Sequence, residues 1–441
     1  MLLLSHRSLV SEAVAEELRR AKDSKLAILP ILSSDLGELP YSWAYRLQAI
    51  QCGRWDESAP AARVCDLVLQ AIRGKQSLPE APRPIPPSLS PTALDAEPAP
   101  SAEPRLIYEE GGAIPLKSPF YAARPADSAL KRELEFGAGR TITVKGPRQG
   151  GKSSLLARAR RIATTLRLRV VYIDFQTVSS PEIDSLRALY RYLCFLIADE
   201  LDATLKLDDV WNDAFAVGRN VTRFLEKAIL PNGPVVLLLD EVDKIFFREA
   251  YRDDFFAILR ACHNQRALDE RWQHFTLVLA HSFSPTLAIQ NVDQSPFNVA
   301  DAKLQLNDFE FEQVNFLNDA HGKPLPSGQL SRLRELVGGH PFLIRKALYT
   351  LKKEGIDLEE LHRRVIQTGG PCEDHLHHLC AQLRPAHELQ KALREIWATG
   401  ACQDDRSFET LFQLGVVSGP SRHQAQPRCT LYRDYLKDHL L

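Results

Sequence analysis

The stretch Thr141-Ile142-Thr143-Val144-Lys145-Gly146-Pro147-Arg148-Gln149-Gly150-Gly151-Lys152-Ser153-Ser154 decides the fold class. A β-branched run leads into Gly-x-x-x-x-Gly-Lys-Ser, and the helix-prone Leu155-Leu156-Ala157-Arg158-Ala159-Arg160 follows. Strand, glycine-rich loop and helix in that order form a phosphate cradle. Backbone N–H groups turn inward around the phosphates, which glycine permits because it tolerates unusual dihedrals and close approach. The helix N-terminus adds partial positive charge. Gly146, Pro147, Arg148, Gln149, Gly150, Gly151, Lys152, Ser153 and Ser154 are therefore the expected nucleotide-binding residues. Lys152 is expected on the β- and γ-phosphates as a catalytic charge, and the Ser153 hydroxyl on Mg²⁺.

Downstream, Val235-Val236-Leu237-Leu238-Leu239 ends in Asp240-Glu241-Val242-Asp243. An apolar run closed by acids predicts a buried parallel strand with carboxylates at its C-terminal end, the edge at which open α/β sheets bind ligands. Asp240 is the expected second metal residue and Glu241 the expected catalytic residue, orienting the attacking water. The two motifs together predict binding of a purine nucleoside triphosphate with Mg²⁺, with ATP/ADP as the expected pair.

The chain of 441 residues has room for two or three domains. Its formal net charge of −1 gives no global argument for a nucleic acid or an anionic membrane. Locally, twelve basic residues stand against three acids between Arg124 and Arg169, an excess that a triphosphate site and a solvated helix face account for. Eight scattered cysteines without a Cys-x-x-Cys pair suit free thiols in a reducing compartment. The apolar Met1-Leu2-Leu3-Leu4 is too short for a membrane span. A cytoplasmic protein without membrane attachment is expected.

Residues 78–105 hold nine prolines among Ala, Ser and Glu, the composition of an extended linker. It separates an N-terminal unit, 1–77, from a core over 106–305. There Thr141–Val144, Val170–Phe175, Val235–Leu239 and Phe275–Ala280 read as strands alternating with helices such as Ser185–Leu201 and Arg252–Cys262. That alternation predicts an α/β fold with a parallel sheet. Beyond about Leu306 helical patterns take over, giving an expected helical lid over 306–370. In 371–441, helices precede Leu414-Gly415-Val416-Val417 and a return at Cys429-Thr430-Leu431, the pattern of a winged helix.

Residues 118 to about 365 resemble the AAA-like P-loop NTPase domains of prokaryotic signal-transduction ATPases, relatives of the STAND and archaeal origin-binding types. The matching strings are Ser118-Pro119-Phe120-Tyr121 with Arg124-Pro125-Ala126-Asp127, the phosphate loop, and Leu239-Asp240-Glu241-Val242-Asp243. Ser295-Pro296-Phe297-Asn298-Val299 and Gly338-Gly339-His340-Pro341-Phe342-Leu343 follow. The resemblance implies Pro341 near the adenine at the start of a lid helix, a position that an ordinary helix start explains equally well. Phe120 and Tyr121 stand where a base or ribose could pack, or as core aromatics. His281 and Ser282, ending a strand, stand where such ATPases place a γ-phosphate sensor, and Arg345 lies on the lid helix. Leu431-Tyr432-Arg433-Asp434-Tyr435-Leu436 is similar to the end of the winged-helix region in these proteins.

Residues 1 to about 75 resemble the second half of a TIR domain, with Leu2-Leu3-Leu4-Ser5 as a central strand and Lys25–Leu32 as the next. The resemblance puts the NAD⁺-cleaving glutamate on Glu17. The tryptophan usual four residues earlier is Ala13, and the first TIR strands are not in the sequence, so NADase activity is not expected. Cys372, His375, His377, His378 and Cys380 are zinc-ligand types, but their spacing matches no standard finger.

These readings lead to an ATP-binding, slowly hydrolysing switch that signals in prokaryotic antiphage defence. Self-association through the ATPase or TIR-like domain and a protein or phage-derived activator are the expected partnerships. The alternative is an ATP-dependent DNA-associated protein that reads DNA with its winged helix, and a third is a nucleotide-holding scaffold. Against DNA, acids such as Glu388, Asp404, Asp405 and Glu409 dilute the arginines of the last seventy residues.

Overall fold

Aliphatic and β-branched runs assemble the central sheet. The computed structural model describes residues 2–4, 30–33, 53–55, 112–137, 139–285, 289, 291–367 and 369–440. The chain divides into two units, Met1–Glu103 and Pro104–Leu441. In the first, β1 (Leu2–Leu4), β2 (Pro30–Ser33) and β3 (Gly53–Trp55) pair in parallel in that order. Ala13, Glu17 and the proline-rich 78–105 segment lie outside the described residues.

The second unit opens with α1 (Pro125–Glu135), which has proline in its first turn, where the missing N–H costs no hydrogen bond. The Asp127 carboxylate accepts from the Arg124 N–H at 2.8 Å, closing that end. Next come β4 (Thr141–Lys145), α2 (Lys152–Thr165), β5 (Arg169–Asp174) and α3 (Leu186–Glu200), the last capped by the Ser185 hydroxyl. Then follow α4 (Val217–Phe224), β6 (Val235–Asp240), α5 (Arg252–Asn264), β7 (Phe275–His281) and β8 (Ala302–Gln305). All five strands are parallel, in the order β5-β6-β7-β4-β8. β8, with the sequence Ala-Lys-Leu-Gln, carries no β-branched residue and was not among the expected strands. It is an edge strand made by pairing with β4 rather than by its own propensity.

Alternation along β6 sorts the two layers. Val235, Leu237 and Leu239 join a core with Phe175, Leu193, Phe224 and Phe255, whereas Val236 and Leu238 join Leu130, Leu155 and Leu156 of α1 and α2. Burial on both faces explains the unbroken apolar run.

A third core is helical: α6 (Phe311–Ala320), α7 (Leu330–Val337), α8 (Pro341–Glu354), α9 (Leu358–Val365), α10 (Glu373–Leu383), α11 (His387–Thr399), α12 (Asp405–Gln413) and α13 (Thr430–His439). Phe120 and Ala122 belong to this core. Between α12 and α13, β9 (Val417–Ser418) pairs antiparallel with β10 (Gln426–Pro427). The return strand is therefore Gln426–Pro427. Cys429 is the residue before α13, and Thr430 and Leu431 are already helical, because the amphipathic repeat Leu431, Tyr432, Tyr435, Leu436 buries one helix face. Among the described residues, no helix is long and apolar enough to cross a membrane.

Candidate functional site

The loop Gly146–Gly151 leaves the C-terminal end of β4 and runs into α2, whose first residue is Lys152. Gln149 (φ 58°) and Gly151 (φ 94°) both take left-handed backbone conformations. At Gly151 a β-carbon would also meet the Arg124 guanidinium at 2.7 Å, and at Gly150 it would stand 2.8 Å from the Pro147 carbonyl oxygen. Both glycines are thus sterically required. α2 begins without a side-chain cap, so its first amides are directed by the loop alone.

Beneath the loop, Arg124 is buried, and its Nη1 donates to the Gly150 carbonyl at 2.8 Å. Asp127, which holds the Arg124 amide, also accepts from the Tyr121 hydroxyl, and the Arg158 guanidinium lies 3.2 Å over the Tyr121 ring. Tyr121 therefore braces the segment that supports the loop. Ser154 is likewise braced, its hydroxyl accepting from Ile114 N–H at 2.8 Å. Phe120 packs on His321 with ring centroids 4.4 Å apart, under the Arg345 guanidinium at 4.4 Å. These last groups belong to the helical core.

Lys152 is 2% exposed, and its ammonium donates to Ser282 Oγ at 2.6 Å and lies 3.4 Å from Glu241 Oε1. Asp240 is fully buried. Burial holds its carboxyl above the usual carboxylate range, while hydrogen bonds from Ser153 and Tyr172 oppose that shift. The Tyr172 hydroxyl donates to Oδ2 at 2.8 Å and the Glu241 N–H to Oδ1 at 3.0 Å. Glu241 itself sits at φ 53°, a left-handed conformation rare outside glycine, which turns its carboxylate onto Lys152. Asp243 accepts from the Ser282 and Phe283 N–H groups at 2.8 Å each, so the end of β6 fixes the end of β7. Burial pushes the Asp243 carboxyl up to about 6.

Ser282, the residue just after β7, and not His281, is the one at Lys152. The His281 ring turns into the core against Phe297 (4.9 Å) and bonds the Phe283 carbonyl, and burial pushes it down to about 4. The reason is parity: adjacent residues at a strand end face opposite ways.

The outer side of the loop meets the helical region. His340 precedes Pro341, the first residue of α8, and its Nε2 donates to the Arg148 carbonyl at 3.1 Å. Pro341 is thus near the loop through its neighbour. His375 on α10 donates from Nδ1 to Gln149 Oε1 at 2.6 Å and accepts at Nε2 from the Tyr432 hydroxyl at 2.6 Å. Arg148 Nη1 donates to His378 Nε2 at 2.9 Å. Burial pushes His375 down to about 4 and His340 well below the usual imidazole value. Their neutral forms match these hydrogen-bond roles. Of the Cys–His cluster, Cys372 and Cys380 are buried in the helical core and His377 faces Glu373 at 3.6 Å; among the described residues no group of three or more such side chains could hold a metal.

The structure therefore gathers Gly146–Ser153, Asp240 and Glu241 at one sheet edge, with Ser153 near enough to Asp240 to favour its ionised form. Both are hard oxygen donors, which fits the pair to one divalent cation. Arg124, Tyr172, Asp243, Ser282 and His375 also belong to the site. Ser282 follows an expected strand, and Arg124 and Asp243 lie within the matching strings, so these three had a sequence signal; Tyr172 and His375 reach the site by tertiary contact.

The sequence profile described as the AAA-like domain matches residues 109–438. An uncharacterized WD repeat-containing protein of Synechocystis is 29% identical over 254 residues, covering 54% of this chain and 20% of that protein. The chain thus matches about a fifth of this curated relative's length. The Aeropyrum pernix ORC1 protein in complex with DNA is similar with a TM-score of 0.37 at 10% identity, covering 74% of this chain and 95% of that one. AMPPCP-bound DnaA from Aquifex aeolicus gives 0.35 at 16%, covering 56% and 68%. Thermotoga maritima RuvB gives 0.37 at 12%, covering 72% and 93%.

Proposed function

This chain belongs to the AAA-like domain family, and from that premise we propose that it is an ATP-binding, slowly hydrolysing switch whose C-terminal helices respond to the phosphate site. The observation that carries this reading is the grip of α10 on the phosphate loop, His375 on Gln149 and His378 on Arg148. Whatever reshapes that loop must also strain or release α10.

Pro147 has no N–H, and the Gly146 and Gly150 N–H groups donate to the His281 and Pro147 carbonyls. Arg148, Gln149, Gly151 and the first turn of α2 would therefore supply the amide cradle, Lys152 the cation for the β- and γ-phosphates, and Ser153 and Asp240 would hold Mg²⁺. The cation supplies further charge against the phosphates. Phosphate oxygens compete with Glu241 for Lys152, so nucleotide binding frees the Glu241 carboxylate to orient and accept a proton from the attacking water. Ser282 stays on Lys152 within reach of the terminal phosphate, held by Asp243. Tyr121 and Pro341 act through the braces around the loop.

We read α10–α13 with the β9–β10 ribbon as the winged-helix region. Its α12 carries Asp405, Arg406 and Glu409, which does not favour a phosphate-backbone reader, so the DNA-associated reading stays second. The relative's segment lies within a WD repeat-containing protein, which supports a regulatory module joined to other modules. Signalling in antiphage defence, with self-association as part of it, is the setting that the TIR-like N-terminal resemblance suggests.

Hydrogen exchange of α10 in the full chain tests the switch. ATP with Mg²⁺ and ADP should give different exchange at residues 373–383, and the difference should vanish in Lys152→Ala. Identical exchange in both nucleotide states would refute the switch and leave a static nucleotide-holding scaffold.

A further inference from the structure

We propose that Tyr172 is a positioning residue for the divalent cation, fixing the Asp240 carboxylate from the neighbouring strand. The proposal rests on Asp240 being the metal-holding acid, and its test separates the two ideas.

In the parallel pairing of β5 with β6, Tyr172 lies opposite Leu238 and Asp174 opposite Asp240. Tyr172 and Asp240 therefore share one sheet face, two residues apart along the strand direction. The phenol spans that diagonal to reach Oδ2 at 2.8 Å, while the Glu241 N–H takes Oδ1 at 3.0 Å. With a donor on each oxygen, the carboxylate of this fully buried residue cannot rotate about its terminal torsion without breaking a bond. A carboxylate offers about four acceptor positions, so Tyr172 determines which lone pairs remain directed at the cation and its water shell.

The chemical type of the donor matters as much as its place. Asp174, Asp240 and Glu241 bring three carboxylates to this edge, and the Tyr172 hydroxyl donates to one of them. A lysine or arginine here would also hold Asp240, but its charge would compete with the metal. Tyrosine supplies a hydrogen bond without a charge, preserving the negative field that attracts a divalent ion. No other described role accounts for the hydroxyl.

The test is equilibrium binding of a fluorescent ATP analogue to the full chain, titrated with Mg²⁺ and repeated with the metal chelated. Tyr172→Phe retains the ring and its packing. It should need about tenfold more Mg²⁺ for half-maximal tightening, with metal-free nucleotide affinity unchanged. In the Asp240→Asn background, Tyr172→Phe should have no further effect. An Mg²⁺ dependence within twofold of the parent would overturn the proposal, as would an equal loss of affinity with and without metal, which indicates a merely structural residue. If Asp240→Asn itself leaves the Mg²⁺ dependence intact, the underlying assignment of the metal site falls, whatever Tyr172 does.

Discussion

The phosphate loop has two sides, and they are built from opposite chemistry. Its inner side faces Lys152, Asp240, Glu241 and Asp243, charged groups fixed by hydrogen bonds from Ser282, Tyr172 and strand-end amides. Its outer side meets His340, His375 and His378, of which burial keeps His340 and His375 neutral. The inner side needs fixed charge because its ligand is a polyanion, and a preorganised field costs no rearrangement when that ligand arrives. The outer side holds protein to protein, where the neutral hydrogen bonds of His340 and His375 contribute only about 1 kcal/mol net each and the charged Arg148 donor to His378 is solvent-exposed. On the proposed reading, strong local fields would bind the ligand and weaker contacts would transmit its presence, since a contact that must be released cannot be strong.

Changes that break one side and spare the other sharpen this contrast. Glu241→Gln should act on the inner side alone, lowering turnover by about 100- to 10,000-fold. Nucleotide affinity should hold or rise, because an anion competing for Lys152 is removed. Unchanged phosphate release in that variant would mean Glu241 does not serve the water.

Acid should reach both sides. His281 is pushed down to about 4 from an ordinary 6.5, so between these values the unfolded chain binds more protons than the folded one. Stability is therefore full above pH 6.5 and lost as pH falls toward 4, by about 3 kcal/mol for this residue. His375 acts in the same direction at the outer contact, and Asp243, pushed up to about 6, acts in the opposite one. Denaturant titrations of the parent and His281→Gln across this range isolate the His281 contribution. Superimposable pH profiles would remove it.

Lys152→Ala should weaken nucleotide binding by about 100-fold, the scale of a lost charge-assisted hydrogen bond, with the helical spectrum unchanged. Calorimetric titration reads it directly, and undiminished affinity would dissolve the inner side as a phosphate site. The smallest effect belongs to Tyr432→Phe, which removes the outer-side bond to His375. It should cost about 1 kcal/mol of stability and raise α10 exchange, with nucleotide affinity not reduced. A loss of affinity would show that the outer contact builds the pocket rather than reports on it.

Much of the inner side was legible in sequence. The β4–loop–α2 passage, the acids at the end of β6 and the strand running into Ser282 are local patterns, and the observed strand limits lie within a residue or so of the expected ones. β8 was not legible, because its pairing with β4 rather than its composition makes it a strand. The return strand lies three residues before Cys429-Thr430-Leu431, whose β-prone types stand at the start of an amphipathic helix. Tyr172 was invisible for a different reason: its role depends on which strand lies beside β6, and that order is not written in any one segment.

What the sequence alone determined, then, is everything that depends on near neighbours: the cradle, its lysine, the buried strand and its terminal acids. Backbone dihedral preferences and side-chain periodicity act over a few residues, and so survive in a linear string. What only the tertiary structure decided is which distant groups share a lone pair: Tyr172 on Asp240, Asp243 on Ser282, His375 on Gln149. Those pairings are fixed by strand order and helix packing, where burial makes an unsatisfied polar group costly and so selects a partner from anywhere in the chain.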